Sequence, residues 1–84
     1  MKIPNEMSRQ FFTVAGRKAL IQQYGEAKTV FSGQNDDGER VCISFHREYG
    51  IALTTYQHNG WCRENYYDKN GHPSGETYSG KWTV

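Results

Sequence analysis

The sequence predicts an α+β fold: an N-terminal helical segment packed on one face of an antiparallel β-meander of about five strands. Two observations predict it. Apolar residues near the start recur at helical spacing, and the rest of the chain is cut into short alternating segments by clusters of turn-forming residues. Those clusters are Asn35-Asp36-Asp37-Gly38, Glu48-Tyr49-Gly50, Asn59-Gly60 and the stretch 68–75.

Residues 1–6 read as a short, partly mobile lead-in. Over residues 7–24, Met7, Phe11, Val14, Ile21 and Tyr24 stand at spacings of three, four and seven, which makes one helical stripe. Gly16 weakens its middle and Lys18 interrupts it. The pattern predicts a helix over 15–24, capped by Thr13 and stopped by Gly25, with 7–12 as a separate helical turn. Arg17 and Lys18 are expected in solvent.

Residues 27–33 read as the first strand, centred on Thr29, Val30 and Phe31. A four-residue loop at 35–38 sets Val30 opposite Ile43. A three-residue loop at 48–50, with glycine left-handed, sets Phe45 opposite Leu53. Asn59-Gly60, as a two-residue type I′ turn, sets His58 opposite Trp61 and Leu53 opposite Tyr66. The stretch 68–75 holds two competing turn signals and reads as a long loop, followed by an edge strand over 76–82 beside Pro73. These registers predict one apolar face of Val30, Val41, Ile43, Phe45, Ile51, Leu53 and Tyr66. The other face receives Phe31, Cys42, Ser44, His46, Ala52, Thr54, Tyr56, His58, Trp61, Arg63, Asn65 and Tyr67.

With 84 residues, the chain reads as a single domain, 1–84. Hydrophobic content is 36% and aromatic content 14%, so rings are expected to carry much of the core. A net charge of +1, with both signs interspersed, argues against duplex DNA or an anionic membrane as partner. No apolar run is long enough to span a bilayer, and residues 1–6 lack the apolar stretch of a signal peptide, so no membrane partner and a cytoplasmic address are expected. Cys42 and Cys62 fall on opposite faces in these registers. That predicts no disulfide and fits a reducing compartment.

Catalytic and metal chemistry find little support. Cys42, His46, His58, Cys62 and His72 are the soft ligands, but no Cys-x-x-Cys or His-x-x-x-His pair occurs, so no metal is expected. Cys42 beside His46 or His58 lacks an orienting acid, so no catalytic residue is assigned and the chain reads as a non-enzyme. None of the nine glycines stands in a strand–loop–helix phosphate cradle; they read chiefly as turn residues, and no cofactor is expected. Gly75-Glu76-Thr77-Tyr78-Ser79-Gly80-Lys81-Trp82 resembles half of a MORN repeat in its Gly-x-x-Tyr-x-Gly-x-Trp spacing. Such repeats stabilise one another by stacking, and this stretch occurs once, so it reads as hairpin chemistry.

The functional expectation comes from the second face. Tyr56, Trp61 and Tyr67 are expected to lie exposed together, with His46, His58 and Arg63 among them. Tyr, Trp and Arg are enriched at binding hot spots. The competing reading is cross-strand support, with Arg63 stacked against Tyr56, or cover from the 68–75 loop. The surface predicts a non-catalytic protein-interaction module: an adaptor, an inhibitor or a self-associating subunit such as a homodimer, as among mobile-element accessory proteins. A second route is pairing at a free edge strand. The alternative is a single-stranded nucleic-acid binder using stacked rings, against which near-neutral charge counts. A further alternative is a small-ligand or enzyme domain with its site between helix and sheet or under the 68–75 loop.

Overall fold

The computed structural model describes residue 3 and residues 5–81. Two helices, α1 (Asn5–Gln10) and α2 (Val14–Tyr24), precede five strands: β1 (Val30–Gln34), β2 (Arg40–His46), β3 (Gly50–Tyr56), β4 (Trp61–Tyr67) and β5 (Pro73–Lys81). The strands form one antiparallel sheet in the order β1-β2-β3-β4-β5. This is the expected α+β meander. Trp82, the expected end of the last strand, lies outside the described residues.

The break between the helices comes where the sequence places it. Thr13 is extended, and its Oγ1 accepts the Gly16 N–H at 2.9 Å, so one orphan donor of α2 is satisfied. Gly25 ends α2 in the right-handed region at φ −68°, so its lack of a side chain serves another purpose. A Cβ there would lie 2.8 Å from the Arg47 N. The glycine lets the helix end approach the β2–β3 turn, and its carbonyl accepts the Arg47 N–H at 3.2 Å.

The core lies between the helices and one sheet face. Met7, Leu20, Ile21, Phe31, Val41, Ile43, Phe45 and Ile51 are buried, with Phe11, Tyr24, Leu53 and Tyr67 packed around them. Tyr24, Phe31 and Phe45 form a ring triangle with centroids 4.9, 5.6 and 6.0 Å apart. Contacts of this kind add about 0.5–1.5 kcal/mol each beyond area burial.

Two registers differ from expectation by one residue, and each slip turns a strand over. Phe31, not Val30, pairs with Ile43. Leu53 pairs with Asn65, so Tyr67 replaces Tyr66 on the core side. The cause is one turn used three times. Residues 36–38, 58–60 and 69–71 are three-residue loops, each closed by a 3.0, 2.9 or 2.8 Å backbone bond between the flanking residues. Gly38, Gly60 and Gly71 occupy the last loop position at φ +79°, +90° and +86°. This is a type I turn followed by a glycine bulge. Asx side chains lock it: Asn35 Oδ1 accepts the N–H groups of Asp37 and Glu39, and Asp68 Oδ1 accepts those of Asn70 and His72. A two- or four-residue loop gives the wrong parity. The β2–β3 register differs by two, with Phe45 on Ile51, and an even shift keeps every residue on its expected face.

The stretch 68–75 is accordingly no long loop. It is a tight turn leading into β5, and it docks against α2 instead of covering Trp61. Arg17 makes that dock. Expected in solvent, it is 8% exposed. Its Nε donates to the Gly71 carbonyl at 2.7 Å and its Nη1 to the Phe11 carbonyl at 2.8 Å. The guanidinium lies 4.6 Å from the centre of the Tyr67 ring. One side chain thus joins the end of α1, the start of α2 and the β4–β5 turn.

Candidate functional site

Strand β1 is an outer strand of the sheet, and its sequence gives it no shield. Val30-Phe31-Ser32-Gly33-Gln34 holds no charge and no proline, and its pairing with β2 runs without a register break. Natural edge strands are usually blunted by such devices. The other edge, β5, has them: it starts at Pro73, carries Glu76, and pairs with β4 through two register irregularities.

The backbone parity of β1 follows from its flanking bonds. Phe45 N–H donates to the Thr29 carbonyl, and Asn35 N–H to the Glu39 carbonyl, both at 3.0 Å. In an antiparallel ladder bonded pairs alternate. Phe31 and Gly33 therefore turn their backbone groups toward β2, and Val30, Ser32 and Gln34 turn theirs outward. Val30 is 53% exposed, while Phe31 beside it is 2% exposed.

On the helix side, between the N-terminal segment and strands β2 and β3, lies an apolar groove of about 330 Å³ that touches β1 at Gln34. Ile3, Met7, Phe11, Phe12, Val41 and Leu53 line it, and Gln34, Asn35 and Asp36 form its rim. Phe12 is 84% exposed at its mouth. Edge and groove meet at Gln34, so backbone donors and acceptors border an apolar channel.

The residues expected to form one aromatic surface are divided. His46 and Tyr56 stand on the open sheet face. The β4 slip carries Trp61, Arg63 and Tyr67 to the helix side. Tyr67 is partly covered there by Phe11, edge-on at 5.3 Å, and by Arg17. Trp61 and Tyr78 remain exposed farther along. Arg63 Nε lies 2.9 Å from Glu76 Oε1 without aiming its N–H at the oxygen, so charge alone holds this half-exposed pair. The Arg63–Tyr56 stack does not form, because the two lie on opposite faces; Arg40 lies over Tyr56 instead, at 5.2 Å.

His58 and His46 have local partners. His58 Nε2 lies 2.9 Å from the Asp37 carbonyl, and a carbonyl only accepts, so this nitrogen carries the proton. The His58 backbone N–H donates to Glu39 Oε2 at 3.0 Å, which ties the β1–β2 and β3–β4 turns together. The Asn35 side-chain amide and the His58 backbone N–H hold the Glu39 carboxyl below its ordinary range. Asp68 is likewise held low, chiefly by the His72 backbone N–H. His46 accepts the Glu48 N–H at 3.2 Å and packs on Tyr49 at 4.5 Å.

Comparison of the chain with protein-family models, with curated proteins and with solved structures finds no match.

Among the described residues no cluster of His, Cys, Asp and Glu has the arrangement of a metal site. Cys42 and Cys62 share the open face, a correction that follows from the β4 slip. Both are free thiols. Cys42 lies on β2 and Cys62 on β4, with β3 between them. Two strand spacings, about 9.6 Å, exceed disulfide reach. On the same face Tyr66 donates its hydroxyl to Glu64, which raises the Tyr66 pKa. This carboxylate disfavours a phosphate backbone tracking across those rings. No described helix is long and apolar enough to cross a membrane.

The sequence offers a free edge strand as a second route without saying which edge, and the groove is missed because a one-residue error in the first turn puts Phe31 outside. The signal was present: Asn at the first position and Gly at the fourth of 35–38, with Asp and Gly repeating that spacing at 68–71.

Proposed function

We propose that this protein is a small non-catalytic interaction module whose working surface is the β1 edge with its adjoining groove. One observation carries the reading. Among the described residues nothing bonds the outward backbone groups of Val30, Ser32 and Gln34, and at Gln34 they meet an apolar channel lined in part by the exposed Phe12. Main-chain pairing supplies affinity in strand addition, and a neighbouring apolar pocket supplies selectivity. The partner is a protein segment able to extend as a strand, which fits an adaptor, an inhibitor or a self-associating subunit.

Site-specific photo-crosslinking in the host cell tests it. A photoreactive residue at Ser32 is expected to form a discrete protein adduct, and one at Thr77 on β5 is not. Phe12→Asp, at the groove mouth, is expected to reduce the Ser32 adduct at least severalfold. No adduct at Ser32, or equal adducts from both edges, contradicts the proposal.

A further inference from the structure

Resting on that reading of the β1 edge, we infer that its partner is a second copy of this chain, paired antiparallel about a two-fold axis at Ser32. Only Val30, Ser32 and Gln34 have outward backbone groups, as the flanking ladder bonds establish. An antiparallel self-pair must bring outward residues opposite one another. Centring it on Ser32 does so for all three: Ser32 faces the partner's Ser32, and Val30 faces the partner's Gln34. Every outward N–H and carbonyl of β1 then has a mate. A centre at Val30 or Gln34 leaves outward groups unpaired.

Charge supports the same register. Lys28 and Asp36, both exposed, lie four residues either side of Ser32. Both stand in the turns that flank β1, Lys28 with φ +52°, so the two-fold pair sets Lys28 near the partner's Asp36 at each end by position and not by ladder register. One pair of opposite charges stands at each end of the seam, around an uncharged centre. A parallel pairing would set like charges together.

Packing on the helix side is compatible. Gly33 stands opposite the partner's Phe31, and because that ring is buried in its own core against Tyr24 and Phe45, neither residue puts a side chain in the way of the pairing. Ile3 already lies over Gly33, where an added Cβ would meet its Cδ1 at 3.2 Å. Ile3 of both copies thus lies beside the seam. The product is a closed dimer with a continuous ten-stranded sheet and a two-fold interface. Its remaining outer strands are the two β5 edges, which carry the blunting devices.

Sedimentation equilibrium of the full chain over a concentration series at low salt tests the inference. The wild type is expected to dimerise. Ser32→Pro removes the central outward N–H and is expected to stay monomeric. Lys28→Glu and Asp36→Lys, each alone, set like charges together at both ends and should raise the dimer dissociation constant about tenfold or more. Mixed in equal amounts, these two variants restore an opposite-charge pair at each end, and the mixture should form a heterodimer of near wild-type affinity. A wild type that remains monomeric overturns self-pairing. So does a dimer insensitive to Ser32→Pro and to both charge reversals, or a mixture no tighter than its components. A monomeric wild type whose Ser32 crosslinker captures a different protein overturns the inference while the β1 edge stands as the interaction surface.

Discussion

Replacing Arg17 by alanine is expected to destabilise the protein by about 3 kcal/mol, while the neighbouring Lys18→Ala changes stability by less than about 0.5 kcal/mol. Arg17 is buried, donates to two carbonyls from different elements and stacks over Tyr67, whereas Lys18 is exposed. A hydrogen bond to a charged group contributes roughly 1.5–3 kcal/mol, and removal leaves the Gly71 and Phe11 carbonyls without this donor. A domain of this size has only about 4–13 kcal/mol in total. The loss should lower the melting temperature by more than about 10 °C. Lysine at position 17 cannot span both carbonyls with one ammonium and should recover less than half of the deficit. Thermal unfolding of the three variants checks this. Equal, small effects at 17 and 18 would show that the guanidinium is not what joins the helices to the β4–β5 turn.

The second large effect is expected at Gly71. Gly71→Ala should cost at least about 3 kcal/mol, and Gly38→Ala only about 1–2 kcal/mol. Both glycines hold the left-handed last position of the same turn, at φ +86° and +79°. They share the conformational penalty and differ in surroundings. A Cβ on Gly38 meets nothing within 4 Å, whereas one on Gly71 would lie 2.5 Å from the Val14 carbonyl oxygen and 2.9 Å from the Lys18 N. These are backbone atoms of α2 and cannot swing aside. The substitution would push the turn off the helix and draw the Gly71 carbonyl away from Arg17. Denaturant unfolding of the two variants gives the difference. Equal losses would mean that the turn does not dock as described.

The outline of this fold was legible because local signals sufficed for it. Thr13 and Gly25 bound the second helix, and four turn clusters divide the meander. The central strands came out on the right face because the β2–β3 register differs by two residues, and parity survives an even shift. Strands β1 and β4 came out inverted because turn chemistry had to distinguish loops of two, three and four residues. Asn35 and Asp68 carry that information in side-chain bonds to the backbone two and four residues ahead, which a reading by Asn-Gly dipeptides misses. Arg17 was illegible for another reason. Its partners are backbone carbonyls, one of them 54 residues away, and no residue type marks a carbonyl as an acceptor for a cation. The interaction surface suffered from the same parity error. Tyr56 and Trp61 were gathered on one face by a slip at residues 58–60, and with the correct loop the exposed potential moves to β1.

Amide hydrogen exchange along β1, read residue by residue by NMR, tests the central claim most directly. In dilute protein the Phe31 and Gly33 amides, bonded to β2, should be protected, and those of Val30, Ser32 and Gln34 should exchange freely. As the protein associates, with itself at rising concentration or with a captured partner, protection should rise at 30, 32 and 34 and stay unchanged at 31 and 33. Protection that appears instead on the open face around Tyr56 and Tyr66, or no change along β1 while association proceeds, would contradict an interaction through the β1 edge.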